Sequence, residues 1–268
     1  MTIQIEDHDS VRTIIHDRSA VRNAMDAKSA DALYAALIAF EEDPCVVVAV
    51  LWGAGGAFCS GWDLKSAASL VDASDPLAEF NYPECASGEE IPRGPMGPTR
   101  LALTKPVIAA IEGPAVAGGM EIALWCDIRV MAADAFMGVY CRRWGIPLID
   151  GGTVRLPRLV GQGRALDIIL TGRKVTAEEC LDIGLCERVV ETGQARQFAE
   201  ALAREIARFP QGCVRADRAS VYAQYGKNIE GAMRNEFAEG QGPLQNEGMA
   251  GASRFSSGSG RHGDFEHI

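Results

Sequence analysis

The sequence predicts an α/β fold, and three observations support this class. The segment Cys45–Trp52, CVVVAVLW, is short, apolar and β-branched, which is typical of a parallel-sheet strand buried on both faces. Residues 105–113, 118–127 and 128–133 follow as strand, helix and strand, which favours a right-handed βαβ crossover. The last third is mostly helical, with an amphipathic run at Ala195–Arg208.

The other elements are predicted from periodicity and from turn residues. Residues 2–6 and 11–16 alternate between polar and apolar, as paired strands do. Residues 23–40 carry apolar side chains at helical spacing, and a glycine-rich turn, GAGGAFCSGWDLK, precedes a further helix. Residues 72–99 contain five prolines and several glycines, so they are predicted to form an irregular loop or lid.

Composition limits the possible partners and the cellular location. The 268 residues are 47% hydrophobic and carry a formal net charge of -10, which argues against nucleic acid or an anionic membrane as a partner. No apolar run is long enough to span a bilayer, and the N-terminus lacks a signal-peptide pattern. Eight cysteines without a CxxC pair indicate reduced thiols rather than disulfides or a metal site. We therefore expect a cytoplasmic protein that binds no metal.

Two segments share one form, in which a buried strand, a glycine-rich turn and a helix follow one another. They are VVVAVLWGAGGAFCSGWDL and VIAAIEGPAVAGGMEIAL. Each ends at a helix start, where backbone N–H groups lack intrahelical partners. Two such groups aimed at one point would form an oxyanion hole. The second segment also places Glu121 in an apolar run, where an unpaired carboxylate is costly, and this favours a functional role for that side chain.

These motifs, in this order, resemble the crotonase superfamily, also called the enoyl-CoA hydratase/isomerase family. The matching segments are VRNAM, AFCSGWDLK, KPVIAAIEGPAVAGGMEIALWCDIRV, GGTVRLPRLVG and LTGRKVTAEECLDIGL. The resemblance implies a crotonase-like spiral of repeated ββα units over residues 1–200 and a C-terminal helical region with a loose tail over residues 201–268. It also implies homotrimers or dimers of trimers and an acyl-CoA substrate. No separate cofactor is expected, because coenzyme A is part of that substrate.

The resemblance also assigns a binding site. Matched position by position, the backbone N–H groups of Trp62 and Gly118 would hold the thioester oxygen. The coenzyme A would lie along Ser60, Gly61, Asp63 and Leu64. Asp63 has a second interpretation as the N-cap of the helix that follows.

The resemblance places an acid/base group at Glu121 but leaves its partner open. Hydratases of the family use two glutamates, and Cys141 stands at the second position here. Asp150 is either the catalytic partner or a turn or N-cap residue before two glycines. Cys141 is predicted to line the pocket. A nucleophilic Cys141, with a pKa lowered by Arg142 and Arg143, is the alternative.

The default function is hydration of a 2-enoyl-CoA through an enolate stabilised by the oxyanion hole. Double-bond isomerisation and thioester hydrolysis are alternatives within the same class of enzyme. A non-catalytic acyl-CoA-binding protein is an alternative of another class, motivated by the cysteine at the second glutamate position. A dinucleotide-binding fold is disfavoured, because neither glycine turn follows the G-x-G-x-x-G pattern.

Overall fold

The computed structural model describes residues 2–70, 74–75, 78–82 and 91–260. The chain divides into two compact units: Met1–Leu103 with Val107–Arg204, and Thr104–Pro106 with Glu205–Ile268. Much of the predicted lid at 72–99 lies outside the described residues. Its described C-terminal part includes a short 3-10 helix at Pro98–Arg100.

Strands and helices alternate along most of the described chain. The strands are β1 (Ile3–His8), β2 (Val11–His16), β3 (Val48–Gly53), β4 (Val107–Ile111), β5 (Pro114–Val116), β6 (Ile128–Ala132), β7 (Phe136–Gly138), β8 (Val175–Thr176) and β9 (Arg188–Val190). The helices are α1 (Ala27–Glu42), α2 (Leu64–Ala68), α3 (Gly118–Trp125), α4 (Gly152–Val160), α5 (Gln162–Thr171), α6 (Ala177–Asp182), α7 (Ala195–Ala207), α8 (Gln211–Ala223), α9 (Ile229–Pro243) and α10 (Met249–Ser257).

The strands of the first unit form two sheets. The larger sheet has the order β1-β2-β3-β4-β6-β9, with β1 antiparallel to β2 and every other pair parallel. The smaller sheet has the order β5-β7-β8. In the units β4-β5-α3 and β6-β7-α4, the first strand joins the larger sheet and the second strand joins the smaller one. The prediction of an α/β fold with repeated ββα units is therefore confirmed.

The strands predicted to be buried lie in the middle of the larger sheet. All five residues of β4 and five of the six in β3 are buried. All six residues of β2 are buried as well, so the alternation predicted for residues 11–16 does not leave every second side chain in solvent. Helix α1 packs beside this sheet and begins at Ala27, four residues later than the predicted start. The reason is that Asp26 caps the helix by accepting from the Ser29 N–H, whereas Asn23 has a left-handed backbone with φ +55°.

The second unit is helical among its described residues. Helices α8 and α9 pack against each other, and α9 continues through a π-helical turn at Leu244–Gly248 into α10. The tail predicted to be loose is therefore helical as far as Ser257, where Gly258 ends the helix with a left-handed backbone. Residues 261–268 lie outside the described residues.

Two further features of the described part of the chain concern its helices and its cysteines. None of its helices combines the length and the apolar character that crossing a bilayer requires. Its seven cysteines are all free thiols, five of them buried, at positions 45, 59, 126, 141, 180, 186 and 213.

Candidate active site

The two glycine turns meet in the structure. A β-carbon placed on Gly119 would lie 2.1 Å from the carbonyl oxygen of Cys59, and one placed on Gly61 would lie 3.2 Å from the Gly118 nitrogen. Only glycine allows backbones to approach this closely. The contact is reinforced by a hydrogen bond of 3.0 Å from the Val116 N–H to the Cys59 carbonyl. The start of α3 is therefore fitted against the turn that precedes α2.

The backbone N–H groups of Trp62 and Gly118 lie at this junction. Met25 donates to the Gly61 carbonyl and accepts from the Asp63 N–H, each at 2.8 Å, so the Trp62 N–H between them points to the other side of its chain. The Gly118 N–H belongs to the first residue of α3 and follows Ala117, which has φ +53°. Neither N–H group donates a hydrogen bond to any residue that the structure describes.

Glu121 lies in the first turn of α3, a helix in which all eight residues are buried. Its side chain is anchored through one oxygen. Oε1 accepts hydrogen bonds from the N–H groups of Asp150, at 2.9 Å, and Gly152, at 2.8 Å. Oε2 accepts none from the described residues. The carboxyl group is thus held in place with one oxygen left for chemistry.

The environment of Glu121 favours its neutral form. Burial is the main cause and the nearby Asp150 carboxylate the second, and together they raise the pKa of Glu121 to about 7. The two backbone N–H groups and the Arg155 guanidinium act in the opposite direction. A carboxyl group that titrates near neutral pH can both accept and return a proton.

Asp150 lies beside Glu121 but binds a different segment. It is buried, and its Oδ1 accepts from the Met96 N–H, at 3.1 Å, and from the Thr99 hydroxyl. Burial raises its pKa, and these two hydrogen bonds partly offset that effect. The alternative role of Asp150 as the N-cap of α4 is wrong, because Gly151 occupies that position.

Met96 extends the site towards the oxyanion turn. A β-carbon on Gly118 would lie 2.4 Å from the Met96 sulfur, so the methionine side chain packs directly on the first residue of α3. Met96 is almost completely buried. Asp150 therefore fixes the backbone of a residue whose side chain contacts Gly118.

Cys141 is buried near Glu121, and the alternative interpretation of Cys141 as an activated nucleophile is wrong. Burial and the negative field of Glu121 raise the pKa of the thiol, and they outweigh the effect of Arg142. A buried thiol with a raised pKa is a poor nucleophile. The interpretation of Cys141 as a pocket-lining residue stays a prediction.

The four residues expected along coenzyme A surround the start of α2. Asp63 caps this helix by accepting from the Lys65 N–H at 3.0 Å and also pairs with Arg18 at 3.1 Å, so its N-cap interpretation is confirmed. The Ser60 hydroxyl donates to the Val21 carbonyl at 3.3 Å, and Leu64 is exposed. The same turn carries Gly61, which contacts the start of α3. The described residues contain no cluster of side chains that could hold a metal ion.

A cavity of about 520 Å³ opens elsewhere in the first unit, and none of the predicted site residues lines it. Its walls include Trp52, Glu112 and Arg196. The Glu112 carboxylate accepts from the N–H groups of Gly193, at 3.1 Å, and Ala195, at 2.9 Å, so both of its oxygens are engaged. The Arg196 guanidinium lies 5.0 Å from the Trp52 ring. The free oxygen of Glu121 distinguishes the candidate active site from this cavity.

Three residues of the site were missed by sequence reasoning. Met96 and Thr99 fall in the proline-rich segment, which has no periodicity from which a contact could be predicted. Arg155 follows the glycine pair at 151–152 within a segment that carries the family resemblance. Its place in that segment is the signal from which a role in the site could have been predicted. Its guanidinium donates to the carbonyls of Asp150, at 3.0 Å, and Thr99, at 2.8 Å.

The fold is that of a crotonase-type protein. The sequence model described as Enoyl-CoA hydratase/isomerase matches residues 6–239, and the chain belongs to this family.

Known proteins and solved structures named as enoyl-CoA hydratases or dehydratases are similar to this chain along most of its length. Enoyl-CoA hydratase EchA19 of Mycobacterium tuberculosis is 37% identical over 197 residues, which cover 71% of this chain and 68% of the relative. Carnitinyl-CoA dehydratase of Salmonella arizonae is 39% identical over 186 residues, covering 69% of this chain and 66% of the relative. The crystal structure of enoyl-CoA hydratase EchA1 from Mycobacterium marinum superimposes with a TM-score of 0.85, at 29% identity and 96% coverage of both chains.

Proposed function

We propose that this protein is an enoyl-CoA hydratase that adds water to a 2-enoyl-CoA thioester. The names of the two curated relatives, a hydratase and a dehydratase, both denote the addition or removal of water. The observation that carries the proposal is the anchored, half-free carboxyl of Glu121 beside the junction of the two glycine turns.

In the proposed reaction, the N–H groups of Trp62 and Gly118 bind the thioester oxygen. Glu121 takes a proton from water as the water oxygen bonds to the β-carbon. The electrons of the double bond move to the thioester oxygen as an enolate, which the two N–H groups stabilise. Glu121 then gives its proton to the α-carbon, and the enolate returns to a thioester. One carboxyl group thus performs both proton transfers and regains its starting state.

In this proposal Glu121 is the only acid/base group, and its neighbours Asp150 and Cys141 have other roles. Asp150, like Glu121, is held through one carboxyl oxygen, but its hydrogen bonds come from the 96–99 segment. Cys141 replaces the second glutamate expected in hydratases of this family. In the proposal, Asp150 raises the pKa of Glu121 and orders the loop, and Cys141 lines the acyl pocket. A pKa near neutrality allows Glu121 to serve as base and then as acid.

The remaining parts of the proposal follow the family resemblance. Coenzyme A lies along Ser60, Gly61, Asp63 and Leu64, and no separate cofactor takes part. The chain assembles as a homotrimer or a dimer of trimers and works in the cytoplasm, without nucleic acid or membrane as a partner.

Double-bond isomerisation is the second candidate. The observation that favours it is the cysteine at position 141, because an isomerase needs one main acid/base group, which takes a proton from one carbon and returns it to another.

A substrate panel distinguishes these functions. Purified protein is supplied in turn with 2-enoyl-CoA, 3-enoyl-CoA and saturated acyl-CoA thioesters of several chain lengths, and the products are identified by mass spectrometry. We expect 3-hydroxyacyl-CoA from the 2-enoyl substrates. Isomerised enoyl-CoA as the dominant product would replace hydration with isomerisation, and free coenzyme A would indicate hydrolysis. Calorimetric binding of thioesters without turnover would instead support a non-catalytic binding protein.

A further inference from the structure

Arg155 joins two segments of the site that also meet through Asp150. Its guanidinium nitrogens donate to the Asp150 carbonyl, at 3.0 Å, and to the Thr99 carbonyl, at 2.8 Å. The first carbonyl belongs to the turn that leads into α4, and the second belongs to the 3-10 helix at Pro98–Arg100. One planar side chain therefore spans both segments, as a guanidinium can through its several fixed donors.

The first of these segments holds Glu121. The N–H groups of Asp150 and Gly152 are the donors to its Oε1. Any shift of this turn moves both donors together, and the carboxyl group with them. Arg155 stabilises the turn from the opposite side, through the carbonyl of the residue whose N–H contacts Glu121.

The second segment contacts the oxyanion turn. Thr99 donates its hydroxyl to Asp150, and Met96, three residues earlier, packs its sulfur on Gly118. By binding the Thr99 carbonyl, Arg155 restrains the segment that also carries Met96. Its two hydrogen bonds thus reach both the acid/base group and the start of α3.

The backbone leaves space for this guanidinium. A β-carbon on Gly151 would lie 2.1 Å from the Arg155 Nη1, and Gly151 also has φ +94°. A larger residue there would displace the arginine, in addition to straining the turn. The absence of a side chain at Gly151 therefore leaves room for the Arg155 guanidinium.

We propose that Arg155 is a positioning residue that ties the turn holding Glu121 to the loop packed on Gly118. Its role in proton transfer rests on the proposed function, whereas its effect on the geometry and charge of the site does not. Arg155 also supplies positive charge to both carboxylates of the site.

Other charged and titratable groups act on the same carboxylates. Glu121 interacts with Asp150 and with the thiol of Cys141, and both of these are retained in Arg155 variants. Asp150 interacts with Arg100 and with the thiol of Cys59. Removing the Arg155 charge leaves the negative field of Asp150 less opposed, so the pKa of Glu121 must rise further.

Direct titration of Glu121 tests the charge effect without turnover. Carbon-13 NMR of the glutamate carboxyl groups, assigned with Glu121→Gln, is recorded against pH for the wild type, Arg155→Met and Arg155→Lys. We expect the pKa of Glu121 to rise by about one pH unit in Arg155→Met and to stay near the wild-type value in Arg155→Lys. Arg158→Met, on the same helix but with an exposed side chain, is the control and should leave it unchanged. An unchanged Glu121 titration in Arg155→Met would overturn the electrostatic part.

Hydrogen exchange of single amides tests the positioning effect. The N–H groups of Met96 and Asp150 should exchange at least about tenfold faster in Arg155→Lys than in the wild type, because lysine cannot bridge both carbonyls. Wild-type exchange at both amides would overturn the positioning role. If Arg155→Met does not fold, amide exchange in Arg155→Lys still tests the positioning role of Arg155.

Activity separates this inference from the proposed function. If the wild type hydrates 2-enoyl-CoA, Arg155→Lys should lower kcat by about tenfold with a smaller change in KM. If the wild type has no such activity, the proposed function fails, and the titration and exchange results still decide the role of Arg155.

Discussion

At the scale of single residues, the site depends on how one buried carboxyl group is held. Glu121 has two backbone donors on one oxygen and an acidic neighbour, so it is fixed in position while its charged form is disfavoured. Such an arrangement costs stability when the group ionises, and this cost is typical of groups kept for chemistry rather than for folding.

The pH dependence of stability follows from the raised pKa of Glu121. The folded protein binds this proton more tightly than the unfolded chain, whose glutamate has its ordinary pKa of about 4.5. The stabilisation is complete below that value and is lost as pH rises through about 7. Glu121→Gln stays neutral and keeps an oxygen to accept both N–H bonds.

Urea unfolding of Glu121→Gln and the wild type measures this cost. The variant should be more stable by about 3 kcal/mol at about pH 8, and the difference should nearly vanish at about pH 4. Equal stability of the two proteins at both pH values would contradict the raised pKa.

At the scale of elements, the site forms where two strand–turn–helix segments meet. Both segments could be predicted from the sequence, because a buried strand, a glycine-rich turn and a helix start each have a local signature. The engagement of Asp150 by the 96–99 segment could not be predicted. That contact joins positions more than fifty residues apart, in a segment whose prolines and glycines carry no periodicity.

The close approach of α3 to the turn before α2 is testable with one methyl group. Gly119→Ala places its β-carbon 2.1 Å from the Cys59 carbonyl oxygen, so the helix or the turn must move. We expect a loss of about 3 kcal/mol in the free energy of unfolding, together with a loss of activity. Calorimetry and the hydration assay measure the two effects.

Gly163→Ala is the matched control, because Gly163 lies in α5 with no atom close to its added β-carbon. It should be neutral or slightly stabilising, since alanine favours a helix over glycine. Similar behaviour of the two alanine variants would show that α3 is not fitted against the turn.

At the scale of the whole molecule, the two units differ in how they cover apolar side chains. In the first unit, the central strands and α3 are buried. In the second unit, α9 exposes Ile229, Met233 and Phe237 at a spacing of four residues, which places them on one helix face. An exposed apolar stripe of this kind is typical of a subunit interface. We predict that this stripe is covered in the trimers or hexamers that the family resemblance implies.

Sedimentation velocity tests the assembly. The wild type should sediment with the mass of three or six chains of 28.7 kDa each, and Phe237→Asp should shift it towards smaller species. A wild-type protein that sediments as a monomer at all concentrations would contradict the expected assembly.

The proton transfers assigned to Glu121 are the central claim, and solvent deuterium follows them most directly. A 2-enoyl-CoA is incubated in D₂O with the wild type, Glu121→Gln or Glu112→Gln, and deuterium at the α-carbon of the product is measured by NMR. Glu112 is the control because it is also buried and accepts two backbone N–H bonds, outside the site. The account predicts α-deuterated product from the wild type and Glu112→Gln, and a rate at least about 100-fold lower for Glu121→Gln. Deuterium incorporation by Glu121→Gln at the wild-type rate would contradict it.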